Sequence, residues 1–147
     1  MSWFNVSLGG HDIFLFGWQT IAAAVAAFII GGLWYGPLFG MKWAKYMGMT
    51  KAHMEYAKNK GMAKLYFFNF IGTLITASIL GGLVFSLGFD VMGAIGLAIW
   101  LWLGFMVFTT LLGSLLWENK PTGLFWINSI YWLITFVVMA GILAAWM

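Results

Sequence analysis

The chain has no cysteine, no arginine, only two prolines and only four acidic residues. Each shortage closes off a class of protein. Without cysteine there is no disulfide framework, no iron–sulfur cluster and no thiol nucleophile, and nothing about redox compartment can be read. Without arginine, the net charge of +3 rests on seven lysines, which flank apolar runs and do not form the basic stripe of a nucleic-acid reader. Charged residues are 7% of the chain and hydrophobic ones 63%, whereas a soluble domain carries about 25% charge. Too little polar surface remains to cover so apolar a core, so a water-soluble globule is excluded, as are disorder and a collagen-like repeat. The length, 147 residues, allows one domain. What remains is an integral membrane protein.

Residues 1–20 contain neither Lys nor Arg, so they lack the basic leader of a secretory signal. They hold His11 and Asp12, and their apolar islands, Trp3-Phe4 and residues 13–18, fit an interfacial lead-in. Four windows then reach the roughly 20 apolar residues that a spanning helix needs: 18–39, 65–87, 91–117 and 124–147. None has an ionisable residue in its middle. A transmembrane barrel would alternate apolar and polar residues; these runs are continuous. The expected fold is therefore all-α, an integral membrane bundle of four transmembrane helices forming a single domain, residues 1–147.

The connections set the orientation. Residues 41–64 carry Lys42, Lys45, Lys51, Lys58, Lys60 and Lys64 against one acid, Glu55, and the connection around Glu118-Asn119-Lys120-Pro121 carries the seventh lysine. The other connection, Gly88-Phe89-Asp90, has none. Positive-inside bias places the lysine side in the cytoplasm and both termini outside, in a cell membrane. Within the basic loop, Thr50 is an N-cap and Gly61 a stop. Lys51, Glu55 and Lys58 fall on one helical face, with Met54 and Ala57 to the other side, as in a short helix lying on the membrane surface or in a solvated linker helix.

Small residues suggest how the spans pack. Gly32, Gly36 and Gly40 recur every fourth residue, with Ala24 upstream, a spacing that lets helix backbones approach closely, either within one bundle or between subunits. Gly72 with Thr76, and Ser78 with Gly82 and Ser86, form similar rows. Pro37 is expected to kink the end of the first span or free a carbonyl there. Most of the ten tryptophans fall near span ends as interfacial anchors, while Trp100 and Trp102 lie deeper and need indole N–H partners. Asn69 and Asn128 stand apart, because an amide in lipid needs an interhelical partner; each other and Glu118 are within reach of the pattern.

Chemistry-bearing constellations are sparse. Asp12 and Asp90 fall on one side of the membrane, Glu55 and Glu118 on the other, so no paired acid and base share a helix face. His11 and His53 also lie on opposite sides, which excludes a bis-histidine haem within one chain. Methionines in the lysine loop, with His53 beside Met54, are soft enough for Cu(I), but loose packing at an interface explains them as well. No catalytic residue, metal site or cofactor is expected, and the chain is not read as an enzyme.

The run Gly31-Gly32-Leu33-Trp34-Tyr35-Gly36-Pro37-Leu38-Phe39-Gly40-Met41-Lys42-Trp43, followed by Met47-Gly48-Met49-Thr50, resembles the signature of a family of small membrane proteins catalogued as domain of unknown function 1761. Leu116-Trp117-Glu118-Asn119-Lys120, Ile127-Asn128-Ser129-Ile130-Tyr131 and Met139-Ala140-Gly141-Ile142-Leu143 resemble it too. Lys120 stands where the family often has Arg, and Asn128 where it often has Asp. The resemblance implies four membrane helices and no particular activity. Placed on the topology, the shared residues Trp34, Tyr35, Pro37, Lys42, Trp43, Glu118, Lys120 and Asn128 converge on one cytoplasmic rim. That rim reads as an anchor ring, with Glu118 paired to Lys120 or Lys42, or as a polar pocket in which Tyr35 and Asn128 bond a ligand and the lysines hold an anion. The expected role is a scaffold or accessory protein binding membrane lipids or a partner, as a homo-oligomer or with another membrane protein. The alternative is a small oligomeric transporter or channel for a small solute or ion.

Overall fold

Polar caps and glycine turns cut the apolar sequence into rods. In the computed structural model, which describes residues 5–8, 11–14, 17–59 and 61–146, four helical stretches are long and apolar enough to cross a membrane: Trp18–Leu38, Met62–Leu87, Val91–Leu116 and Thr122–Ala145. All lie within three residues of the expected limits. Trp3-Phe4, Lys60 and Met147 fall outside the described residues. Ahead of the helices, strands β1 (Asn5–Leu8) and β2 (His11–Phe14) pair antiparallel with Leu8 opposite His11, and β2 lies alongside the second spanning helix. Asn5-Val6-Ser7-Leu8 does alternate polar and apolar, the strand period, but four residues are too short a run to announce a hairpin.

The first span is helix α1 (Trp18–Leu33) followed by a π-helical turn, Trp34–Leu38. Pro37 has no N–H to donate, and its ring crowds the carbonyl four residues back. Gly36, which precedes it, leaves helical geometry at φ −103°, ψ −105°. The turn widens, and the Phe39 N–H reaches the Trp34 carbonyl at 2.8 Å. The kink expected at Pro37 is present. Helix α2 (Gly40–Tyr46) follows. It ends in a left-handed Gly48 (φ +69°), whose N–H donates to Lys45 O while the Met49 N–H donates to Ala44 O, the paired bonds of a Schellman stop.

Helix α3 (Lys51–Asn59) starts where Thr50 caps it. Thr50 Oγ1 accepts from the His53 N–H at 3.3 Å, and His53 Nδ1 accepts from the Thr50 N–H at 3.2 Å. This is a capping box with histidine in place of the usual Glu or Gln. The side chains of Met54, Ala57 and Lys58, on which the expected division of faces depends, fall outside the described residues. Gly61 (φ +97°) turns the chain into α4 (Met62–Leu87). A second Schellman stop at Gly88 and the Asp90 carboxylate, accepting from the Gly93 N–H at 2.8 Å, make the tight turn into α5 (Val91–Leu101). A ten-residue π-helical stretch, Trp102–Leu111, continues the third span. There the Thr109 and Thr110 hydroxyls both donate to the Phe105 carbonyl, competing with the backbone for it. Helix α6 (Leu112–Leu116) completes that span, and α7 (Thr122–Ala145) begins directly after Pro121.

The bundle is packed unevenly along its length. Near the termini, the ring of Trp18 lies 4.9 Å from that of Trp146, and Gln19 donates to the Trp146 carbonyl. Next comes a core of Ala23, Ala24, Ala27, Ala77, Leu80, Val84, Ala94, Ala98, Met139, Ala140 and Leu143. Alanine at the contacts lets the backbones close in, which is how membrane helices gain packing without a hydrophobic driving force. At the lysine end α4 stands away from its neighbours, and every residue from Ala63 to Asn69 is exposed.

The glycine stripe corrects the sequence reading. The face of α1 that packs is Thr20, Ala23, Ala24 and Ala27, continued by Gly31 against the Tyr131 hydroxyl. Gly32 and Gly36 point elsewhere: a Cβ on either would meet nothing within 4 Å. Gly40 is confined, but by its own chain, since a Cβ there would run into the Tyr35 carbonyl. The three glycines thus make no close contact between helices of this chain.

Candidate functional site

At the lysine end, three consecutive residues of α7 receive hydrogen bonds from three aromatic side chains. The Trp34 indole donates to the Ile127 carbonyl at 3.1 Å, the Tyr35 hydroxyl to Asn128 Oδ1 at 2.7 Å, and the Trp102 indole to the Ser129 carbonyl at 2.7 Å. The Pro37 turn positions the first two by widening the helix where it passes α7. Tyr35 also stands edge-on to Tyr131 (4.9 Å) and to Trp43 (5.7 Å), and Trp34 packs on Phe39. Below them the Tyr46 ring covers Gly123, leaving no room for a Cβ, so α2 is seated on the first turn of α7.

Of the eight rim residues expected from sequence, the structure therefore brings Trp34, Tyr35, Trp43 and Asn128 into one cluster beside the Pro37 turn. It does not join the charged ones to it. Lys42 is exposed, Lys120 is half-exposed, and Glu118 accepts from the Ser114 hydroxyl at 3.2 Å. Among the described residues Glu118 pairs with neither lysine, and Asn128 meets neither Asn69 nor Glu118. The expected use of Tyr35 and Asn128 as ligand contacts also changes. The Tyr35 hydroxyl donates to Asn128 Oδ1, an interhelical bond of the kind that an amide in an apolar span requires. Tyr46 and Tyr131 also belong to the cluster; Tyr131 ends the run Ile127-Asn128-Ser129-Ile130-Tyr131 but is not among the expected rim residues, and for Tyr46 the small Gly123 just inside a helix start is the one available signal.

Beside this cluster lies an open groove of about 530 Å³ between α1, α4 and α7. Its lining includes Gly32, Gly36, Tyr66, Asn69, Tyr131 and Trp132. The glycines that do not pack helices thus form part of its wall. Among the described residues no three His, Asp or Glu side chains gather into a metal-binding group.

The sequence profile of a family described as "Protein of unknown function (DUF1761)" matches residues 18–144. That is most of the chain, and the chain belongs to this family. No curated protein and no solved structure matches it.

Proposed function

For a member of a family whose description leaves its activity open, we propose an accessory role in the membrane: the chain binds anionic lipid headgroups at its lysine end, and that end faces the cytoplasm. One observation supports this above others. Lys42, Lys45, Lys51 and Lys64 are exposed at one end of the bundle, Lys120 joins them half-exposed, and none makes an ion pair among the described residues. Unpaired ammonium groups at the depth of the headgroups are free to hold lipid phosphates, at about 1 kcal/mol each near an anionic surface. The polar groups around Tyr35 and Asn128 serve to fix the rim; they do not serve turnover, and the role is one of binding rather than catalysis.

Native mass spectrometry of protein taken from bilayers of mixed phosphatidylglycerol and phosphatidylcholine tests this. Wild type is expected to retain phosphatidylglycerol in preference. Replacing Lys42, Lys45 and Lys120 together by Gln removes about 3 kcal/mol of attraction and is expected to cut that preference at least tenfold without unfolding the bundle. Equal retention of the two lipids by wild type contradicts the proposal.

A further inference from the structure

The groove between α1, α4 and α7 has a different chemistry from the rim. Its volume, about 530 Å³, falls in the range of small-molecule sites. Among the described residues its walls contain no Lys, Asp, Glu or His, so a phosphate or carboxylate entering it would lose its hydration without gaining a counter-charge. Half of the residues that line it are aromatic. Phe28 and Tyr66 meet edge-on at 6.1 Å, and Tyr35 and Tyr131 at 4.9 Å, while Gly32 and Gly36 leave open space between them and whatever enters.

Asn69 brings a side-chain amide to this lining. The Asn69 amide lies within an apolar span, and among the described residues its side chain makes no hydrogen bond, although its backbone carbonyl accepts from Thr73. An amide at that depth needs a partner. The groove opens on the flank of the bundle, because Gly32 and Gly36 on one side and residues 63–69 on the other are exposed.

We propose that this groove binds the neutral, carbonyl-bearing ring of a membrane-dissolved amphiphile, the chemistry of a prenylated quinone. The ring lies between the aromatic residues over the glycines, a ring carbonyl accepts from the Asn69 amide, and the isoprenoid tail leaves between α1 and α4 into lipid. A phospholipid fits less well: its ester carbonyls are tied to a phosphate, which belongs with the lysines. The proposal does not depend on the lysine rim, and the two fail separately.

The test uses the full chain in phosphatidylcholine nanodiscs titrated with decylubiquinone, reading quenching of tryptophan fluorescence. Wild type is expected to show a saturable component above the linear background of quinone dissolved in lipid. Asn69→Leu is expected to shift half-saturation about tenfold upward, for loss of the one hydrogen bond. Gly32→Leu, which fills the groove, removes the saturable component, while Gly141→Ala retains it, as does the triple lysine-to-glutamine variant. Linear quenching in every protein overturns the proposal. So does saturation that neither Asn69→Leu nor Gly32→Leu alters. Displacement of the quinone by an equal mole fraction of dioleoylglycerol assigns the groove to lipid ester carbonyls and overturns the ring-headed occupant.

Discussion

Ala27→Leu is expected to destabilise the bundle by about 1–3 kcal/mol, whereas Gly32→Leu, five residues on, is expected to be near neutral for folding. Ala27 is 1% exposed and sits in the core where α1 closes on its neighbours. Three added carbons there have no free volume, so either the rotamer is forced or the helices part, and in lipid no hydrophobic effect compensates the lost van der Waals contact. Gly32 stands over open space, and replacing glycine inside a helix gains about 0.5–1 kcal/mol of helix preference. Thermal unfolding in detergent, followed by fluorescence or gel filtration, ranks the two. Equal losses would show that the glycine stripe packs as well, and the reverse order that it packs in place of the alanine face.

Gly40→Ala is the second large effect. The first residue of α2 sits so close under the π-helical turn that a Cβ would strike the Tyr35 carbonyl oxygen and come within 3.1 Å of its carbon. The obstacle is backbone, which cannot rotate away as a flexible side chain can. Relief requires the turn at Pro37 to open, and that draws Tyr35 from Asn128 and Trp34 from Ile127. The expected cost is about 2 kcal/mol, with disturbance concentrated at the lysine end. Gly113→Ala, where a Cβ meets nothing within 4 Å, is the control and is expected to leave stability unchanged or slightly raised. A Gly40→Ala protein as stable as wild type would remove the turn as the element that aims Tyr35 and Trp34.

These two substitutions mark the boundary of what residue order makes legible. Span limits follow from length and hydropathy, and the cap at Thr50 follows from local hydrogen bonding, so the order of residues alone displays both. Which way each helix faces is not displayed. In a soluble protein the polar face announces the buried one, but in lipid both faces are apolar, and the small residues of α1 offer two stripes. Ala24, Gly32 and Gly36 have the spacing of one contact, yet of these only Ala24 makes it, beside Ala23 and Ala27. The same loss of rotation limits the rim. Trp34, Tyr35, Trp43 and Asn128 share a depth that follows from topology, and they do cluster. The pairing of Tyr35 with Asn128 depends on the widened turn at Pro37, and π-helical winding has no sequence period to betray it; Glu118 bonds Ser114, one turn back on its own span. The N-terminal hairpin is hidden for another reason, as each strand is only four residues long.

The reading of the lysine end as a cytoplasmic, lipid-holding rim stands on orientation, and orientation can be measured without knowing any ligand. The chain has no cysteine of its own, so single substitutions report cleanly. Phe89→Cys lies in the turn between α4 and α5, and Lys51→Cys at the start of α3, at the other end of the bundle. With an impermeant thiol reagent applied to intact cells, position 89 is expected to label at once and position 51 only after the membrane is permeabilised. Labelling of position 51 on intact cells, with position 89 protected, would turn the molecule over and contradict the account.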